Sequence, residues 1–181
     1  MSEQRMRRAL MGAAMTAAML ATPPALAESC APLSANFVLC SEGTPWAEAR
    51  HIQFGDGTAL EMGPYYLEFV EHWAEHTEDS TVDAALDELL ALMQEHERDE
   101  GMDPPALLLR DRFEAGSLVV ARVVQSIDTG DDEPFLMATM IAEGEGARIA
   151  VMFGNDDAVA LEDLSDEARA FVALIRPAQE G

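Results

Sequence analysis

The residues with the most chemistry to offer are His72-Trp73-Ala74-Glu75-His76. They read H-x-x-E-H, an order in which two imidazoles hold Zn²⁺ and the glutamate acts as general base for metal-assisted hydrolysis. The chemistry requires His72 and His76 on one helical face, about 6 Å apart. It also requires a third protein ligand, for which Glu143 and Glu145 are candidates. Helix and strand compete over 64–78. Gly63-Pro64 can open a helix. Against that, Tyr65, Leu67, Phe69 and Trp73 alternate with Tyr66, Glu68, Val70 and His72. Such alternation, in residues that favour strands, predicts a strand. On a strand the two histidines stand about 13 Å apart and share no metal. The alternation therefore favours two solvent-exposed histidines on an acidic segment over a zinc site.

Other constellations are weaker. Asp128, Asp131, Asp132 and Glu133 offer oxygen ligands for Ca²⁺, but they miss the EF-hand order and read as a charged hairpin turn. Asn155-Asp156-Asp157 has the same standing. Ser117 sits in Ala-Gly-Ser-Leu-Val rather than G-x-S-x-G, so no nucleophile elbow is indicated. Gly144-x-Gly146 lacks the third glycine and the following helix of a phosphate loop. His51 and His96 have no partner identifiable from the sequence. Tyr65, Tyr66, Phe69 and Trp73 can line a binding groove, but this spacing is more often core. No catalytic set is assigned.

The two cysteines, Cys30 and Cys40, make an even pair. In an exported chain that argues for one disulfide, which stabilises by roughly 2–3 kcal/mol and ties the N-terminal tail to the first strand. The C-x9-C spacing lacks the C-x-x-C arrangement that tunes a redox thiol.

Positioning elements follow from periodicity. Leu33 to Cys40 alternates weakly, as a first strand. Trp46 to Phe54 and Thr58 to Met62 flank Gly55-Asp56-Gly57, a hairpin signal. Ser80 to about Arg98 is the clearest helix: Val82, Ala85, Leu86, Leu89, Leu90 and Met93 form one apolar stripe, and Ser80 is a plausible N-cap. Four strand-like runs follow, Ala106–Glu114, Leu118–Ile127, Phe135–Ile141 and Arg148–Phe153, with short turns that favour an antiparallel meander. The second is nearly continuous in apolar residues, as a central strand is. A last helix spans about Ser165 to Arg176, capped by Ser165 and stopped by Pro177. The order predicts an α+β fold: an antiparallel sheet, made of an N-terminal hairpin plus a four-stranded meander, covered by two helices.

The N-terminus reads as an export signal. Arg5, Arg7 and Arg8 precede the apolar run Ala9–Leu20, Pro23-Pro24 break it, and Ala25-Leu26-Ala27 supplies an A-x-A cut site. The run is shorter than the roughly 20 residues of a spanning helix, and no later run is long enough, so no stable membrane insertion is expected after signal removal. Residues 1–27 are thus the signal and 28–181 one domain, exported by the general secretory route to the periplasm. With three of the 11 basic and one of the 34 acidic residues in the signal, the remainder carries 8 − 33 = −25 formal charges, every basic one an arginine. That field repels nucleic acid and anionic lipid, and it attracts cations or a basic partner. Its blander use is a soluble, self-repelling surface, which the even spread of acids favours.

Phe37-Val38-Leu39 followed by Thr44-Pro45-Trp46 is similar to the opening strand and tryptophan of the PsbP-like and DcrB-like exported α+β domains. Ser80-Thr81-Val82-Asp83 resembles the start of their first helix. Gly116-Ser117-Leu118-Val119-Val120 and Ala147-Arg148-Ile149-Ala150-Val151 resemble their meander strands. The resemblance rests on element order across most of residues 28–181. It implies an accessory, mostly non-enzymatic role, and it carries across no functional residue. The leading expectation is a non-enzymatic periplasmic accessory or binding protein without cofactor. The alternatives are a zinc-dependent hydrolase using His72, Glu75 and His76, and an inhibitor or chaperone of a basic exported partner protein.

Overall fold

The computed structural model describes residues 30–55, 57–71, 80–128, 135–157 and 160–178. The strands β1 (Ala31–Pro32), β2 (Phe37–Leu39), β3 (Arg50–Phe54), β4 (Gly57–Met62) and β5 (Tyr65–Glu71) precede helix α1 (Val82–Asp99). After it come β6 (Ala106–Ala115), β7 (Leu118–Ile127), β8 (Phe135–Gly144), β9 (Ala147–Asn155), helix α2 (Leu161–Val172) and β10 (Ile175–Pro177). The described residues form an α+β fold, with two α-helices and antiparallel pairing throughout the strands.

The sheet layout differs from a separate hairpin and meander. β5 extends the β3–β4 hairpin and pairs with β9, from Tyr65↔Asn155 to Glu71↔Ile149, joining both parts into one seven-stranded sheet ordered β3-β4-β5-β9-β8-β7-β6. A second sheet of three strands, β1-β2-β10, gathers the two ends of the described chain. The alternation that predicts a strand holds from Tyr65 as far as Glu71, beyond which the expected strand lies outside the described residues: Leu67 and Phe69 are buried in the core while Tyr66 is exposed on the other face.

The helices do not share a face. Leu164, Ala168, Phe171 and Val172 of α2 pack with Val120, Met140, Val151 and Phe153. Val82, Ala85 and Leu86 of α1 pack with the alternate residues Ala121, Val123, Ile141 and Ala150. Strands covered on both faces lose the polar alternation, which explains the continuous apolar run of β7. That strand is second from the edge rather than central, and the double cover gives it the same signature.

Three local expectations are corrected. Trp46 to Glu48, expected to open the first hairpin strand, belong instead to a 3-10 turn, Pro45–Glu48, with Pro45 at its start; it turns Trp46 onto Phe171 and Tyr65, with ring centroids 4.6 and 5.2 Å away. The N-cap of α1 is Thr81, whose hydroxyl accepts from Ala84 N at 3.2 Å, while Ser80 is held by Arg148. α2 runs four residues earlier than expected: Ser165 lies inside it, donating to the Leu161 carbonyl at 2.6 Å, and Pro177 ends strand β10. A serine four residues after a carbonyl can bond backward into the helix as easily as cap one.

The edge strand β6 holds a bulge. Leu107 pairs with Gln125 and Leu109 with Val124, so Leu108 is an extra residue. An extra residue reverses the facing of all that follow it. Leu109 and Phe113 therefore join the α2-side core, and Arg110 and Arg112 turn to the acidic flank of α1, pairing with Asp87 and Asp83 at 2.6 and 3.4 Å.

Candidate functional site

Cys30 and Cys40 are joined, with sulfurs 2.00 Å apart and Cα atoms 4.1 Å apart. The bond links the start of the described chain to the residue after β2, where Cys40 N also donates to the Leu174 carbonyl at 2.9 Å. His72, Glu75 and His76 lie outside the described residues, as do Trp73, Asp131, Asp132, Glu133 and the cut-site residues Ala25 and Ala27. β5 is strand from Tyr65 to Glu71, so Gly63-Pro64 leads into a strand rather than a helix. Glu143 bonds the Arg148 guanidinium, and Glu145, at φ 51°, forms with Gly146 the two-residue turn between β8 and β9. Asn155 accepts from Asp157 N at 2.9 Å, the self-bonded turn expected of such a sequence. His51 and His96 are exposed on β3 and α1. Among the described residues no three His, Cys, Asp or Glu side chains converge on a metal position.

Two buried arginines organise the sheet. Arg122, 4% exposed, grips Asp111 through two bonds of 2.9 and 2.8 Å and donates to the Ser165 carbonyl of α2 at 2.5 Å. Its guanidinium stands 4.9 Å from the Phe113 ring, against which Arg169 also packs at 4.3 Å. Arg148 bonds Glu143 and, at 2.6 Å, the Ser80 hydroxyl, fixing the entry to α1. Every donor named here has its acceptor, so both groups are structural. An arginine inside an apolar run is the sequence signal for such a group, and Arg122 stands in one.

The groove worth most notice lies where α1 leaves the sheet. Only the first turns of α1 are buried; Leu89 and Leu90 are half-covered and Leu92 is 59% exposed. Between this half of α1 and β6–β7 runs a cavity of about 300 Å³. Leu90, Ala91 and Leu107 give it apolar walls, and Asp87, Arg110 and Gln125 give it polar ones. Leu107 and Leu108 are 59% and 45% exposed, and Met102 is also open. Gln125, only 5% exposed, is one of the residues lining the cavity, and its buried Oε1 has no hydrogen-bond partner among the described residues. Buried amide oxygens rarely go unpaired. The Arg110 hydrogen bond holds the Asp87 carboxyl below its ordinary range, and the same bond raises Arg110.

The chain matches no known family model and no curated protein.

On the uncovered part of the same sheet face, Tyr66 donates to Glu68 at 2.5 Å. Burial, then the Glu68 hydrogen bond, push its phenol up to about 12. Tyr65 is also raised, first by burial and then by Glu167, whose Oε1 lies 3.2 Å from its hydroxyl. The groove was not legible in the sequence, because it depends on the bulge at Leu108 and on α1 leaving the sheet midway. The available hints were Gln125 interrupting an apolar strand and the Leu107-Leu108-Leu109 run before alternating charges.

Proposed function

We propose that this protein is an exported, non-enzymatic accessory protein whose role is binding, with residues 1–27 a signal cut after Ala27 and residues 28–181 the working domain. The observation that carries the reading is the Cys30–Cys40 bond. Disulfides persist in oxidising compartments and are rare in reducing ones. A charged start, an apolar stretch and an A-x-A site supply the route to the periplasm. Among the described residues no helix is long and apolar enough to cross a membrane. The formal charge of −23 disfavours nucleic acid and suits a basic partner, so inhibition or chaperoning of such a protein is the form the role takes. The PsbP-like and DcrB-like element order supports the same accessory class.

The test is a fusion of residues 1–27 to a phosphatase reporter that folds only where disulfides form. Activity is expected, and it should vanish when Arg5, Arg7 and Arg8 become glutamate. An inactive wild-type fusion overturns export. Near-stoichiometric zinc in residues 28–181, lost together with peptide hydrolysis in His72→Ala, would replace binding with hydrolysis as the role.

A further inference from the structure

We propose that the groove between α1 and β6 receives a basic, amphipathic segment of another polypeptide, with apolar side chains on Leu107 and a donor group on Gln125. The inference rests on the binding role proposed above and names its site and the chemistry of its partner. Three independent observations converge. The first is apolar exposure: Leu107, 59% exposed, stands in the wall of the hollow beside Leu90, Ala91 and Pro105. The second is the buried Gln125 Oε1, which has no partner among the described residues. A buried acceptor left empty is costly, and a donor entering the groove relieves it. The third is charge. Helix α1 and the loop after it, residues 82–103, are rich in acids: Asp83 and Asp87 are taken up by Arg112 and Arg110, and Glu88, Glu95, Glu97, Asp99, Glu100 and Asp103 stand beside the one cation of the segment, Arg98.

A second copy of this chain fits poorly. Each copy of residues 28–181 brings a formal charge of 8 − 33 = −25 and the same acidic helix, so like charges would meet across the contact. Edge-to-edge pairing along β6 is also opposed, because the bulge at Leu108 interrupts the row of backbone groups an added strand would use. A segment with arginine or lysine alternating with leucine has neither problem. Its cations meet the flank of α1, and its apolar residues cover the leucines.

The experiment uses oxidised residues 28–181 and two fluorescent synthetic peptides of equal length and charge, one alternating arginine with leucine and one alternating arginine with serine. The arginine–leucine peptide is expected to bind at 0.15 M salt, and the arginine–serine peptide at least about tenfold more weakly. Leu107→Asp should weaken the arginine–leucine peptide by about tenfold. Because Leu107 is exposed, the fold tolerates the change. The new carboxylate adds attraction for a basic peptide, so a loss of binding reports lost apolar contact and not lost charge. Gln125→Leu, which removes the acceptor at nearly constant volume, should weaken binding by about threefold or more. Equal binding of the two peptides, or unchanged binding in Leu107→Asp, overturns the proposal in favour of diffuse charge attraction. A dimer in sedimentation that Leu107→Asp dissolves overturns it in favour of a second copy. Either failure leaves export untouched, since the phosphatase fusion reads that separately.

Discussion

At the scale of single residues, the protein spends its few cations carefully. Arg122 is buried, bonded to Asp111 twice and to the α2 backbone once, and stacked on Phe113. Replacing it with alanine removes the bonds to Asp111 and to the Ser165 carbonyl and leaves a void beside Phe113. Asp111 keeps a third of its side chain in solvent, so it is not left as a fully buried charge. Arg122→Ala should therefore cost about 2–3 kcal/mol, read as a lowered midpoint in urea, below the figure for a wholly buried pair. A cost under about 0.5 kcal/mol, the usual range for a surface change, would contradict this role. The two tyrosines give a second reading at this scale. Both phenols are raised, Tyr66 to about 12, and the chain has no other tyrosine. A phenol whose folded pKa lies above its unfolded value contributes stability that is full below about pH 10 and is lost as pH climbs toward 12. The phenolate absorbance should stay low through pH 10 and rise late, and Tyr66→Phe should remove the latest part of that rise. A full two-tyrosine rise centred on the ordinary value of 10 would show both rings to be freely solvated.

Among the elements, the bulge in β6 decides most. Leu108 is the residue whose presence puts Phe113 in the core and Arg110 and Arg112 against α1. Deleting Leu108 alone should turn either the residues before it or those after it to the wrong face. We expect a loss of at least about 3 kcal/mol, larger than that of the exposed single substitution Leu108→Ser. If the deletion were no worse than Leu108→Ser, the bulge would not be setting the register. The same residue marks where sequence reading stops. The strands themselves were legible: β7 runs over the expected Leu118–Ile127, and Tyr65 to Glu71 alternates as strands do. The pairing of β5 with β9 was not, because Tyr65 and Asn155 are far apart in the chain and nothing local marks them as neighbours. The opposite placement of α1 and α2 was written in the doubly apolar β7, but a continuous run also fits a central strand. Ser165 misled because one hydroxyl suits both a cap and a backward bond within a helix. Of the candidate site, the cysteine pair was readable from count and context, while the groove depends on side chains from three elements that only folding brings together.

At the scale of the whole molecule, a small sheet and a covalent bond tie together the two ends of the described chain. β1, β2 and β10 bring residues from both ends of the described chain together, and Cys30–Cys40 holds the first of them. On the chain-entropy model a bond between residues 10 apart stabilises by about 2–3 kcal/mol. Cys30→Ser should lower stability by that amount, and reducing the wild type should match it. A variant as stable as the oxidised parent would leave the bond without structural value. The acidity belongs to this scale too: in the proposed binding role it would oppose self-association and attract a cationic partner, an attraction that weakens as salt shortens its reach. The central claim, that the chain works in an oxidising space after losing its first 27 residues, is tested most directly by intact mass spectrometry. The protein is recovered from its own cells under a thiol-blocking reagent. The account predicts the mass of residues 28–181 with no blocking group attached. The mass of residues 1–181 carrying a blocking group on both Cys30 and Cys40 would contradict it.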